Sequence, residues 1–532
     1  MNLHASQSEI DSLEGVLRGA VPGEGLVAAK VALAWHLRQR DSARTLKLVQ
    51  DVMPAVRASR STTHGDAVAS CHARAALAAA EASALYGEVT DAERCLLDAR
   101  ANLNPSWDPE AEGDSWLVEA IVARACGQVG RSLDALRQAT RSFERTKDRE
   151  RLAIAHAWIE FEVMRSQSER AKPLAAPTAA DGSEAAVARE AILGAARAYA
   201  LSCRNPAAAT RAFAQAGEFA QARGLVQLEI TCMLETGAVI HELGDYDRAA
   251  RCFDAAALRA RATGWPTLIV TCDTHFGALL CDLGAFEESR RTLEAAIESL
   301  SARPRGPLLG AAHAALARTL LATRRTAEAL AQMDAAMVLY RAADGLRDLA
   351  ANLILHARVL SAAMQPGRAA DVLAEARALV DSRAFESMRA ALLVAQAELH
   401  HRFTLAAPVD MTLPSAALHF AEAALAHGQR QIGWSARATL LDFLAERWSD
   451  VGEHERAYGY ARRALAAKER ETDQKMSYPL ALLRVRRRAE VHAAPDRASG
   501  LRDDGTRATA NTPGGPAATR HATIDIHREP AP

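Results

Sequence analysis

Two arginines in equal register are the residues of this chain best placed to recognise a ligand. Arg318 and Arg358 lie 40 residues apart, and a guanidinium presents a planar fork of donors that holds a carboxylate at two points. Set one above the other at about 10 Å, the usual spacing of packed helices, they suit two acidic groups on one extended segment better than a single shared carboxylate. The competing reading is an ion pair with a neighbouring stretch of chain. His241, Glu242 and Asp282 complete the candidate peptide-binding set. Asp442, Glu446 and Asp450 recur at four-residue spacing, which puts them on one helical face, either solvated or forming an acidic end to a groove.

Catalysis has no comparable candidate. The chain contains no phosphate loop, no G-x-S-x-G elbow, no H-E-x-x-H pair and no dinucleotide fingerprint. The adjacent His400 and His401 have no carboxylate or cysteine at ligand spacing, and His241, His275, His313 and His356 occupy unlike positions of the 40-residue spacing. Eight cysteines include no C-x-x-C pair, and Cys232 and Cys272, again 40 apart, read as small buried apolar residues. No catalytic residue, metal or cofactor is expected. The cluster Arg484, Arg486, Arg487 and Arg488 lacks interleaved aromatics, so it reads as a solvated helix rather than a nucleic-acid surface. With 64 basic and 65 acidic residues, no global field draws the chain to nucleic acid or to a membrane.

What must position these side chains is a helical hairpin written repeatedly. Gly244 is followed by Tyr246, Ala249, Phe253 and Ala256, and Gly284 by Phe286, Ser289, Leu293 and Ala296, at the same offsets 40 residues on. Glycine supplies the positive φ that ends the first helix, the aromatic fills the wedge beside the turn, and the alanines let the second helix lie close to its neighbours. Gly237 and Gly277, seven residues before each turn, mark a close approach of the two helices. Five turn positions, Arg204, Gly244, Gly284, Arg324 and Met364, keep the spacing, and the residue twelve beyond each is alanine.

This pattern resembles the tetratricopeptide repeat, with a period longer than that family's usual length of about 34 residues. Roughly one extra helical turn, shared between the two helices, and a longer connection supply the difference. The long variant is similar to the sensor regions of bacterial MalT-type regulators and of some diguanylate cyclases. The resemblance implies an all-α fold: an α-solenoid of about ten hairpins wound into a right-handed superhelix, with a concave groove lined by the first helices. It also implies that the slot of Arg318 and Arg358, filled by Ala238 and Ala278 in the preceding repeats, faces that groove.

Along the chain, residues 1–25 read as a lead-in and 26–167 as N-terminal hairpins, with turns at Gly87 and Gly130 and a connecting loop from Asn102 to Asp114. Residues 168–183, carrying Pro173, Pro177 and Gly182, read as a linker or degenerate hairpin. Residues 184–475 carry the regular hairpins, 476–493 a basic exit helix, and 494–532 a disordered tail without apolar periodicity. A composition of 49% hydrophobic but only 5% aromatic residues suits Ala/Leu-rich helices. The first residues lack a basic flank and an apolar run, and no window approaches a membrane span of about 18 apolar residues, so a cytoplasmic place is expected. The function expected is a non-catalytic scaffold or sensor that binds a peptide or protein segment in its groove. The alternative is a stand-alone sensory module whose output, a diguanylate cyclase or a DNA-binding domain, acts in trans or has been lost.

Overall fold

The structure, a computed structural model, describes residues 2–19, 24–58, 65–104, 106–167, 184–300 and 306–476. The chain divides into one unit of residues 1–481 and another of 482–532. The second unit lies outside the described residues, as do the expected linker at 168–183, the arginine cluster at 484–488 and the expected tail.

A helix not anticipated from the sequence, α1 (Gln7–Gly19), comes first. Among the described residues ten helical hairpins follow. They are α2 (Glu24–Leu37) with α3 (Ser42–Ala58), α4 (Gly65–Leu85) with α5 (Val89–Ala101), and α6 (Ala111–Ala125) with α7 (Val129–Thr146). The unpaired α8 (Arg149–Gln167) precedes α9 (Glu184–Ser202) with α10 (Pro206–Arg223), then α11 (Val226–Glu242) with α12 (Tyr246–Thr263), and α13 (Pro266–Asp282) with α14 (Phe286–Leu300). The last four pairs are α15 (Pro307–Ala322) with α16 (Thr326–Ala342), α17 (Leu346–Ala362) with α18 (Pro366–Arg383), α19 (Glu386–Arg402) with α20 (Ala416–Gly428), and α21 (Ala438–Asp450) with α22 (His454–Met476). Among the described residues no helix is long and apolar enough to cross a membrane.

The repeat slots are packing positions. Ala249, Phe253, Ala256 and Ala260 of α12 are buried, as are Ser289, Leu293, Ala296 and Leu300 of α14 and Ala369, Leu373, Ala376 and Val380 of α18. Most hairpins close through one bonding scheme, in which the residue after the turn donates its N–H to the carbonyl five residues back. Asp245 donates to Ile240, Ala285 to Leu280, Arg325 to Leu320 and Gln365 to Leu360. That scheme needs a left-handed residue at the turn, and φ is 83° at Gly244, 80° at Gly284, 61° at Arg324 and 59° at Met364. The Arg204 turn differs: Asn205 donates to Leu201, four back, and its side chain caps α10 at Ala208.

One expected turn moves. The left-handed residue between α6 and α7 is Gly127, φ 72°, not Gly130, and Gln128 donates to Ala123. Gly127 stands 40 residues after Gly87, so Val129, Ser132, Leu136 and Ala139 repeat the offsets of Val89, Ala92, Leu96 and Ala99. Gly130 has a different task. A side chain there would bring a Cβ within 3.2 Å of the Asp344 carboxylate.

First helices pack on one another as well as on their partners, α2 on α4 on α6, and α9 through α11, α13, α15 and α17 to α19, whereas successive second helices show no such packing. The row of first helices is therefore the inner, more crowded side of the curve. The solenoid also returns upon itself. Asp344, at the joint between α16 and α17, accepts the N–H groups of Val129 and Gly130, both at 2.7 Å, and so caps α7 from 215 positions away. Trp265 Nε1 donates to Ser42 Oγ at 3.1 Å, Thr267 Oγ1 to the Leu85 carbonyl at 3.3 Å, and Arg40 Nη2 to the Arg223 carbonyl at 3.1 Å. In each case the joint or first turn of a later first helix meets an element 182 to 223 residues earlier.

Candidate functional site: the inner wall of the solenoid

Partly exposed residues at matching positions of successive first helices mark the stripe taken to face the groove. On α11 the stripe is Thr231, Glu235, Ala238 and Glu242; on α13, one period on, it is Thr271, His275, Ala278 and Asp282; on α15 it includes Ala315 and Arg318. The spacing i, i+4, i+7, i+11 keeps these positions on one face of each helix.

The predicted residues fall into two groups. His241, Asp282 and Arg318 meet: His241 Nε2 lies 2.9 Å from Asp282 Oδ2, and Arg318 reaches the same oxygen at 3.6 Å while donating to the Ala278 carbonyl at 2.8 Å. Burial pushes the Asp282 carboxyl up, but the His241 hydrogen bond and the charges of Arg318 and Arg437 outweigh it and hold the group below the usual carboxylate range. Arg358 stands apart. It grips Glu398, one period on, at two points of 2.9 Å. Each of the two guanidiniums thus has an acceptor within the fold, as in the ion-pair reading that the spacing also allowed.

Glu242 is different, and it belongs to a set the sequence did not reveal. Its side chain is exposed, yet the walls around it strip enough hydration to raise its carboxyl, with Arg347, His241 and Arg437 opposing. Glu235, about two helical turns earlier on α11, accepts a 2.9 Å hydrogen bond from Tyr199 of α9. Burial raises the Glu235 carboxyl to about 7; Tyr199 and Arg165 work against the shift, and Glu242 and Asp348 add to it. Asp348, on α17, is also exposed and also raised by desolvation, with Arg165 and Arg347 opposing. Glu235 thus lies within electrostatic reach of Glu242 on its own helix and of Asp348 on a distant hairpin.

Sequence reasoning could not have found that set. Glu235 shares its slot with His275 and Ala315, so no column of one residue type announces it. Asp348 joins it only because the solenoid curves back. No cluster of three or more His, Cys, Asp or Glu side chains among the described residues has the geometry to hold a metal.

No family profile matches the chain, and no curated protein matches it. Among solved structures, the Rap conjugation gene regulator of plasmid pLS20 in complex with the Phr* peptide shares 11% identity, covering 69% of this chain and 96% of that one, with a TM-score of 0.45. A Rap protein complexed with competence and sporulation factor shares 12% identity over 76% and 99%, TM-score 0.46. Yeast Tom70 shares 15% identity over 90% and 94%, TM-score 0.34. At these scores the likeness says nothing of ligand or activity.

Proposed function

We propose that this chain is a non-catalytic peptide- or protein-binding scaffold of the tetratricopeptide type, whose inner wall between α9 and α17 receives a segment carrying Lys or Arg side chains. One observation carries the reading: Glu235 lies within electrostatic reach of Glu242 and Asp348, and none of the three makes an ion pair within the fold among the described residues. Desolvated carboxylates without a directly paired cation raise the free energy of the folded chain, and a bound ammonium or guanidinium would offset the part of that cost left by Arg165, Arg347 and Arg437 nearby. His241, Asp282 and Arg318 form the frame beside these carboxylates, and Glu242 would contact the ligand directly. The same wall would serve a sensor whose output lies in another chain.

A fluorescently labelled alanine-based peptide with three lysines tests this, titrated into the wild type and into a Glu235→Gln, Glu242→Gln, Asp348→Asn variant. Affinity is expected to rise as pH increases through about 7, to fall with salt, and to drop at least tenfold in the variant. Equal binding by both chains would count against the proposal. Preference for the glutamate counterpart of the peptide would restore the arginines as the ligand-gripping groups.

A further inference from the structure

The residues preceding α1 do not hang free. Asn2–Ala5 form a non-helical segment that runs onto the first helices, and three side chains of the α2 end hold its backbone. Trp35 Nε1 donates to the Asn2 carbonyl at 3.0 Å, Arg38 Nη2 to the Leu3 carbonyl at 2.8 Å, and Arg40 Nη2 to the Ala5 carbonyl at 2.9 Å. The donors are set in advance. Arg38 is buried, tied to Glu81 of α4 at 2.6 Å, and stacked on the Trp35 ring with its guanidinium carbon 4.0 Å from the centroid. Main-chain carbonyls are common to every peptide, so such donors supply affinity, and alternate side chains supply selection. Leu3 and Ala5 are the buried alternates: Leu3 joins the core around Val31 and Trp35, and Ala5 the cluster of Ile10, Leu33 and Leu37.

The side chain between them fits less well. His4 Nε2 is shielded from solvent and has no hydrogen-bond partner. Burial above all, with the guanidiniums of Arg38, Arg223 and Arg151, holds the imidazole neutral against the opposing charge of Asp114, and Glu81 and Arg124 border the cavity beside it. A carboxylate in its place would be attracted by the guanidiniums that oppose a charged imidazole. A remaining cavity of about 30 Å³, bordered by His4, Arg38, Asp114 and Trp158, leaves the change of shape room.

The segment can leave without dismantling its neighbour. Ser6 and Glu9 form a reciprocal cap, Ser6 N–H to Glu9 Oε2 at 2.8 Å and Glu9 N–H to Ser6 Oγ at 3.3 Å, which starts α1 independently of the residues before it. Asn2 Nδ2 adds one exposed bond to Glu9 at 2.6 Å.

We propose that the inner surface of α2, α4, α6 and α8 is a second peptide site, that Asn2–Ala5 are its built-in occupant, and that a partner segment with leucine, an acidic residue and alanine in succession displaces them. This site is separate from the wall of α9 to α17 and does not depend on it.

The test uses fluorescein-labelled Asn-Leu-Glu-Ala-Ser and its Asn-Leu-His-Ala-Ser counterpart, titrated into the full chain and into Leu3→Asp, which expels the occupant. Leu3→Asp should bind the glutamate peptide at least tenfold more tightly than the wild type does, and at least threefold more tightly than it binds the histidine peptide. In the wild type, saturating glutamate peptide should speed amide exchange at Leu3 to Ser6. Equal affinity of the two chains, or no preference for glutamate, would overturn the proposal. If Leu3→Asp fails to fold, the wild-type exchange measurement decides alone, and unchanged exchange there overturns it.

Discussion

At the scale of single residues, the same slot does different work in successive repeats because its partner one period on differs. Arg358 finds Glu398 there and forms a closed pair, while Arg318 turns back to the Ala278 carbonyl and Asp282. Glu235 accepts from Tyr199 and makes no direct ion pair, with Arg165 acting on it only from a distance. Its carboxyl titrates near 7 in the folded chain and near 4.5 when unfolded, so between those values the folded state holds the extra proton and stability falls as pH rises. Glu235→Gln should therefore raise the urea midpoint at pH 8 and leave it nearly unchanged at pH 5; an equal gain at both would mean the shift is absent. Met364 carries a second local cost. It holds a left-handed backbone with an exposed side chain, and Met364→Gly is expected to stabilise the chain by about 1 kcal/mol in chemical denaturation, despite glycine's greater freedom when unfolded. A loss would show that the Met364 side chain contributes more than its backbone costs.

At the scale of elements, the period was legible because close packing constrains residue size. Gly237 is a helical glycine with ordinary φ; what it needs is space, since a Cβ there would lie 2.6 Å from the Phe253 ring. Gly237→Ala should cost about 1 to 2 kcal/mol, overpacking outweighing the gain in helix propensity. Gly459, on the exposed face of α22 with nothing near its Cβ position, is the contrast: Gly459→Ala should stabilise by about 0.5 to 1 kcal/mol. If both changes shift the denaturation midpoint alike, the close approach is not what selects glycine. Gly130 shows where this legibility stopped. The turn was placed at Gly130 although Gly127, three residues earlier, stands one period after Gly87, and the capping of Gly130 by Asp344 of a distant joint is written nowhere near it in the sequence. The helix α1 escaped notice for a related reason, its apolar face being small and covered by α2. Of the candidate site, the frame of His241, Asp282 and Arg318 was visible as polar residues in a regular array. The nearness of Glu235 and Asp348 was not, because curvature accumulates over several hairpins and is written at no single position.

At the scale of the whole molecule, a repeat array ordinarily distributes stability between nearest neighbours, and local opening stays local. Here the contacts of Asp344 with α7, Trp265 with Ser42 and Arg40 with Arg223 join hairpins far apart in the chain. Asp344→Ala should cost about 1 kcal/mol, as expected for loss of a helix cap, and should speed amide exchange at Val129 and Gly130 as well as near the substitution. Exchange confined to the neighbourhood of residue 344 would mean the joint is not coupled to α7. These fastenings bear on how the protein can answer a ligand. An open coil spring changes its bore by adding small tilts between neighbouring turns, but a coil whose turns are riveted together has lost that softest motion. Its bore is fixed like the gauge of a pipe. A segment entering the inner wall must then fit by its own side chains, and a signal of its arrival must pass by breaking rivets, in steps, rather than by a smooth change of pitch.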